Sequence, residues 1–424
     1  MILALCVFIS TLILIMVRPK PLNEATAASL GALGMLVTGV VSPTQAFEVL
    51  KSDANILLFF LGLMLVSIVA DRGGFFKWTA VKAITLANGN GRRLFLIIFG
   101  VGAAITAFFS NDATALILTP VVYVLVNRLR LNPLPYVFAC AFIANTASTL
   151  LPVSNPVNLL PVDTFGLTLA EYLRFLLVPT LLAITINIVL FTIIFRKDIS
   201  ASFNDDNLRN QGKADAFFWF VCSGLTITAV GYIFASIHGV PLSWPALAGA
   251  GILVLGAFSF RRLTPGTVAS SISWSILLFI FSLTLLVKGL ENAGITYLLG
   301  EALVWVSTKG TLQAIIATTV ATGLGSNLIN NWSMMMISVS SLASAGNPAA
   351  SFDQSLIYSS ILGADLGPNI AILGSLSSML WLVLLRQRGL DIHPLQYLKL
   401  GLIVTPPMLI ASALALYASS VFWS

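Results

Sequence analysis

Ser110-Asn111-Asp112-Ala113-Thr114 stands in the middle of an otherwise apolar run from Leu94 to Val126. A polar cluster halfway along such a run predicts a re-entrant hairpin whose tip lies deep in the protein. Non-helical backbone at membrane depth is tolerated only inside protein or beside a water-filled cavity. A second run, Leu312 to Ser341, is interrupted the same way, by Ser326-Asn327 and Asn330-Asn331.

Working outward, the chain matches itself about 220 residues on. Pro21-Leu22 becomes Pro241-Leu242, and Ile56-Leu57-Leu58-Phe59 becomes Ile276-Leu277-Leu278-Phe279. Asp71 and Gly74 become Glu291 and Gly294, and Ala144-Asn145 becomes Ala364-Asp365. Each pair keeps one offset (241−21 = 276−56 = 291−71 = 364−144 = 220). A proline, a glycine and an acid kept in step point to duplication, the sequence mark of many transporters, whose site lies where the halves meet. Within the hairpins two registers fit. Asn111-Asp112 aligns with Asn330-Asn331 at 219, or Ser110-Asn111 with Ser326-Asn327 at 216.

Hydrophobic residues make up 58% of the 424, charged residues 9%, and the mean hydropathy is +0.96. Apolar runs near the ~20 residues that cross a bilayer recur throughout, and strand-type alternation does not. The expected fold is therefore an all-α polytopic membrane protein. Membrane segments are read at 2–17, 24–42, 55–71, 137–160, 172–195, 217–237, 242–260, 272–290, 356–385 and 397–420. Ile2 to Val17 has no basic residues before it and no small-residue cleavage site after it, so it reads as a membrane helix rather than a signal peptide.

With one hairpin per half, each half crosses five times, and an odd number inverts the second half. This divides the chain into repeat 1 (1–197), a cytoplasmic linker (198–216) and an inverted repeat 2 (217–424). Basic residues test the arrangement, because Lys and Arg are retained on the cytoplasmic side. With the linker inside, only Lys51, Arg174, Lys288 and Lys309 fall outside; the other 18 of the 22 basic residues fall inside. Treating the hairpins as full crossings spoils this separation. Both termini are then extracytoplasmic. The net charge of +6 reports orientation rather than nucleic-acid binding.

The remaining polar interruptions are Asn145-Thr146 with Ser154-Asn155-Pro156-Val157-Asn158, and Asp365-Leu366-Gly367-Pro368-Asn369 with Gly374-Ser375. Pro156 and Gly367-Pro368 predict broken helices, since proline removes a helical hydrogen bond and clashes with the preceding turn. Broken ends expose unpaired amides and carbonyls. The candidate substrate-binding residues are Ser110, Asn111, Asn145, Thr146, Ser154, Asn155, Asn158, Asn327, Asn330, Asn331, Asn369 and Ser375. Asp112 and Asp365 are the only carboxylates expected in the core, and intramembrane carboxylates usually mark ion or proton routes. They are the candidate proton-coupling groups. No Lys or Arg is expected there, which favours a neutral or cationic solute.

Cys6, Cys140 and Cys222 lie far apart, without metal-ligand spacing, and neither His238 nor His393 is placed for a proton relay. No metal or other cofactor is expected. No acid pair at protease spacing, Ser/His pair or histidine cluster supports an intramembrane enzyme.

These residues also carry a resemblance. The chain resembles the ArsB-type arsenite efflux permeases of the ion transporter superfamily, over essentially its whole length. The most specific stretches are Asp71-Arg72-Gly73-Gly74-Phe75-Phe76-Lys77-Trp78, Ser110-Asn111-Asp112 through Thr119-Pro120, Ile143-Ala144-Asn145-Thr146-Ala147-Ser148, Val153-Ser154-Asn155, Phe195-Arg196-Lys197-Asp198-Ile199 and Gly363-Ala364-Asp365-Leu366-Gly367-Pro368. The resemblance implies a non-enzymatic secondary transporter in the cytoplasmic (inner) membrane of a prokaryote. It would export arsenite and antimonite hydroxides in exchange for protons, in some members with a cytosolic ATPase as partner. A sodium/proton antiporter on the same scaffold is the alternative. Two departures stand out. At least one relative carries Asp where this chain has Asn145, which shifts the titrating work to Asp112 and Asp365. The Ser-Asn-Thr hairpins of dicarboxylate relatives occur in neither half.

Overall fold

The computed structural model describes residues 1–17, 22–52, 54–204, 214–344 and 354–423. Pro21, Arg18, Lys20, Arg209, Lys213, the linker around Asn207 and Ser424 lie outside the described residues. Within them the chain is helical, and the one extended pairing is an isolated bridge between Asn90 and Ser202. Seven described helices are long and apolar enough to cross a membrane: Ala54–Arg72, Gly91–Phe108, Leu169–Ile194, Ala216–Ala235, Trp274–Asn292, Thr311–Ile329 and Pro394–Trp423. The protein is an integral membrane protein.

Helix boundaries recur 220 residues apart. Ala54–Arg72 returns as Trp274–Asn292, and the hairpin arms that start at Gly91 and Asn111 return as arms that start at Thr311 and Asn331. Both hairpin alignments drawn from the sequence are therefore replaced. At 220, Ser110-Asn111-Asp112 stands opposite Asn330-Asn331-Trp332, and the counterpart of Asp112 is an aromatic residue. The register is set by where each helix restarts, not by which polar residues look alike.

Packing crosses between the halves. Glu24–Val37 lies against Trp274–Asn292, Ser243–Ser259 against Ala54–Arg72, and Leu169–Ile194 against Pro394–Trp423. Four short helices occupy stretches between the apolar segments read from the sequence: Pro43–Ser52, Phe75–Ala87, Pro265–Ser271 and Ile295–Ser307. None is long enough to span a bilayer, which is why a span-length hydropathy reading passes over them. Phe75–Ala87 packs on the first hairpin and Ile295–Ser307 on the second.

The second hairpin and second broken helix touch backbone to backbone. A Cβ added at Gly363 would meet the Thr319 carbonyl oxygen at 2.5 Å, and one at Gly367 would run into the Gly323 backbone. In the first half the small residue is on the other partner. A Cβ at Gly102 would meet the Ile143 side chain at 2.6 Å. Positions 102 and 143 correspond to Thr322 and Gly363 (102 + 220, 143 + 220), so the knob and its hole have changed places.

Candidate functional site

Each hairpin tip is an interruption between two helices. Gly91–Phe108 ends at Phe109, Ser110 is extended, and its Oγ accepts from the Ala113 N–H at 3.1 Å, capping the helix that starts at Asn111. That helix passes through a π-helical turn, Thr114–Leu118, before Thr119–Arg128. Pro120 supplies no N–H, so the regular ladder cannot run through it, and the wider turn absorbs the missing donor. In the second hairpin Asn330 does the capping. Its Oδ1 accepts from the Trp332 N–H at 3.0 Å, and its backbone sits at φ 73°, ψ 148°. Such a conformation is close to glycine-only territory and costs on the order of 1–3 kcal/mol.

Each broken helix also restarts from an extended residue. Leu134–Thr146 gives way to short turns, with Leu151 and Asn155 extended. Ser355–Leu366 does the same, with Ala371 and Ser375 extended. These residues again pair at 220 (371−151 = 375−155). Pro156 begins a turn after the break, and Gly367-Pro368 lies within a turn before it.

The four restarts converge. Asn111 and Asp112, Asn330 and Asn331, Asn155, and Ser375 with Ser377 line one cavity of about 40 Å³. At roughly 10–15 Å³ per water-sized group, it has room for about three. Four helix N-termini therefore turn the positive ends of their dipoles toward one small volume, with leading N–H groups capped by the Asn111, Asn155, Asn330 and Ser375 side chains. Asp112 and Ser377 line this cavity together. A neighbouring cavity of about 110 Å³ also contains Asp112 and extends to the exposed Ser271 and Ser273. Neither cavity is lined by Lys or Arg.

Behind the cavity lie two crossed networks. In one, Asn155 Nδ2 donates to Asp365 Oδ1 at 2.6 Å and Asn158 Nδ2 to Asp365 Oδ2 at 2.9 Å. In the other, Asn145 Nδ2 donates to Ser378 Oγ at 3.0 Å and to Asn369 Oδ1 at 3.2 Å, and Ser375 Oγ donates to Asn145 Oδ1 at 3.3 Å. The members correspond pairwise (365−145 = 375−155 = 378−158 = 220). Each half thus sends its own polar residue into the other half's break. Asn155 and Ser375 belong to both a network and the cavity, linking Asp365 and Asn145 to the space beside Asp112.

A family model described as an arsenical pump membrane protein matches residues 3–420. The chain belongs to this family. An arsenical pump membrane protein of Escherichia coli (strain K12) is 35% identical over 98% of each chain, and a putative arsenical pump membrane protein of Bacillus subtilis (strain 168) is 28% identical, also over 98% of each. Two solved transporters share the fold at TM-score 0.58. The Alcanivorax borkumensis YdaH transporter is 15% identical, covering 99% of this chain and 97% of its own. Neisseria gonorrhoeae MtrF, described among antimetabolite efflux pumps, is 14% identical, covering 97% and 94%.

Not every expected residue of this arsenical pump family member reaches the cavity. Ser110 lines the neighbouring one. Thr146 accepts from Asn369 Nδ2 at 3.0 Å and Asn187 Nδ2 at 2.8 Å, in a packed cluster. Ser154 donates to the Ala107 carbonyl at 3.0 Å. Asn327 donates to the Gly323 and Gly367 carbonyls, each at 2.8 Å, and accepts from the Ala371 N–H, bracing the second break against its hairpin. Ser377, Ser378 and Asn187 were not anticipated. Ser378 was findable, because it stands 220 residues after Asn158. The cysteines are free and scattered: Cys6 exposed, Cys140 buried, Cys222 half-buried. Among the described residues no three His, Cys, Asp or Glu side chains group as a metal site.

Proposed function

We propose that this chain exports trivalent arsenic and antimony from the cytoplasm as neutral hydroxides, in exchange for protons, by alternating access. The observation that carries this reading is the cavity itself. Four helix N-termini and one carboxylate converge there with no basic side chain. A neutral trihydroxide offers oxygen lone pairs to the N–H groups and hydroxyl protons to Asp112 and the asparagine oxygens. A strongly anionic solute would meet Asp112 with no Lys or Arg to offset it. Thiolate capture would hold arsenic too tightly for turnover. The names of the relatives support arsenic as the cargo. The residues lining the cavity form the substrate site, and Asp112 and Asp365 take and release the coupling proton.

In this reading the halves are inverted repeats with five crossings each, both termini are extracytoplasmic, and the cavity that reaches Ser271 and Ser273 opens to the cytoplasm. The deciding experiment is arsenite uptake by everted membrane vesicles energised through respiration. Uptake against a gradient that collapses with an uncoupler is the expected result. Proton movement that requires sodium and ignores metalloid would replace this reading with the sodium/proton antiporter. A reporter fused after Trp423 should be active only if it needs export; cytoplasmic activity would overturn the inversion.

A further inference from the structure

Asp365 is 1% exposed, and neither of the cavities that contain Asp112 includes it. The group that joins it to that space is the Asn155 amide, which does not gain and lose a proton, so a titrating proton needs another way in. We propose that Tyr172 and Tyr358 line a proton-access route to Asp365 from the end of the protein marked by Glu171, which rests on the proton-coupled reading above.

Tyr358 precedes Asp365 by seven residues, two helical turns, and so shares its helix face. Its ring stacks on Phe175 with centroids 4.7 Å apart and planes 19° apart. Tyr172 lies one turn before Phe175 on the same helix, Leu169–Ile194. Leu169–Ile194 packs on Ser355–Leu366, and Tyr172 shares the Phe175 face, so the two tyrosines stand side by side between Glu171 and Asp365. Both tyrosines are 0% exposed. Neither hydroxyl finds a hydrogen-bond partner among the described residues. Buried hydroxyls are satisfied by protein or by ordered water. A column of two such hydroxyls between a partly exposed carboxylate and a buried one is therefore a place for bridging water. Glu171 marks its mouth, accepting from the Thr168 N–H and Oγ–H at 2.8 Å each.

The step balances simply. Hydronium at the Glu171 end gives up a proton, each bridging water and tyrosine hydroxyl accepts one and donates one, and the Asp365 carboxylate becomes the acid. The other elements packed on this helix add little that titrates. The arms of the second hairpin carry no ionisable group; Leu134–Thr146 carries Tyr136 and Cys140; Pro394–Trp423 carries Tyr397, Lys399 and Tyr417. Besides Glu171 and Tyr172, the ionisable group near the start of Leu169–Ile194 is Arg174, which lies over the Trp423 ring at 4.2 Å.

The opposite end lacks this column. Tyr397 holds the place in its helix that Tyr172 holds in its own (397−394 = 172−169 = 3). Its hydroxyl is paired, at 3.3 Å with Ser378 Oγ and 3.5 Å with the Pro368 carbonyl. The position equivalent to Tyr358 is Phe138, packed on Tyr397 at 6.2 Å.

Tyr172→Phe and Tyr358→Phe keep the rings and remove the hydroxyls. In everted vesicles the Glu171 end faces the acidic lumen. Arsenite-driven proton exit should fall by about tenfold or more in each variant near neutral lumenal pH, and the deficit should shrink as the lumen is acidified. Arsenite binding by the purified proteins should stay unchanged. Native-like rates in both variants, with Asp365→Asn inactive, would overturn the route and leave the proton-coupled reading standing. A deficit that acidification does not relieve would assign the tyrosines to packing and also overturn it. Uncoupler-insensitive uptake by the native protein would remove the reading and the route together.

Discussion

The network around Asp365 and the network around Asn145 are built from equivalent positions, yet one is centred on an acid and the other on an amide. Asp365 receives two amide N–H groups, at 2.6 and 2.9 Å. Asn145 exchanges longer, neutral hydrogen bonds with Ser375, Ser378 and Asn369. Hydrogen bonds to charged groups contribute about 1.5–3 kcal/mol and neutral ones about 0.5–1.5. The geometry of the duplication is thus retained while its chemistry is not. In the proton-coupled reading Asp365 titrates, and the equivalent Asn145 serves as a fixed counterpart that holds the same break in shape.

The comparison breaks most severely if the charge is removed. Asp365→Asn makes the two networks alike, keeps hydrogen-bonding shape and cannot titrate. Uphill arsenite transport should fall by about a hundredfold or more, in the 10²–10⁴ range of a lost proton-transfer group, while the purified protein still binds arsenite. Asp112→Asn should behave likewise. Uncoupler-sensitive accumulation in the doubly substituted protein would take both acids out of the proton path, and Asp71 and Glu291 would be examined next.

The donors sharpen the same contrast. Asn155 and Ser375 both line the cavity. Asn155→Ala also removes a bond to a charge, so arsenite transport should drop by about 10- to 100-fold, whereas Ser375→Ala, at the equivalent position, removes a neutral bond and should cost about 2- to 10-fold. Equal losses in a vesicle uptake series would mean that Asp365 carries no charge when Asn155 binds it.

A smaller effect tests whether the halves differ in packing as they do in charge. Gly363→Ala drives a Cβ into the Thr319 carbonyl, and overpacking of this sort costs about 1–3 kcal/mol. The melting temperature in detergent should fall by a few degrees. Thr322→Gly, which recreates the hole present at Gly102, should recover part of the loss, a coupling readable from a double-mutant cycle. The smallest effect is expected at the cysteines. Replacing Cys6, Cys140 and Cys222 together by Ala should leave arsenite resistance nearly intact, since a three-thiolate site needs ligands that converge.

Much of this architecture is readable from residues alone, for identifiable reasons. Ser110-Asn111-Asp112 and Asn330-Asn331 announce their tips because polar residues inside a long apolar run have no bland explanation. Asn145 and Asp365 align because a flanking alanine travels with them. Phe75–Ala87 and Ile295–Ser307 were hidden, because each is too short for a hydropathy window tuned to spans. The hairpin register is not legible from residue likeness, because two asparagines attract an alignment to their own kind, whereas the helix restarts place Asp112 opposite Trp332. Ser378 went unnoticed because serine in a membrane helix usually means nothing. Its role depends on a tertiary contact with Asn145, 233 residues away.

The crossed packing of the outer helices has a consequence for how the protein is made. Ala54–Arg72 finishes against Ser243–Ser259, and Glu24–Val37 against Trp274–Asn292, so each meets this partner only after roughly 190–250 further residues have followed. At about 5–20 residues per second this is a wait of about 10–50 s. During it, lipid or an insertion chaperone must cover faces that the mature protein buries. Either half expressed alone should be degraded for want of its mate, and the two halves made as separate chains in one cell should rescue each other.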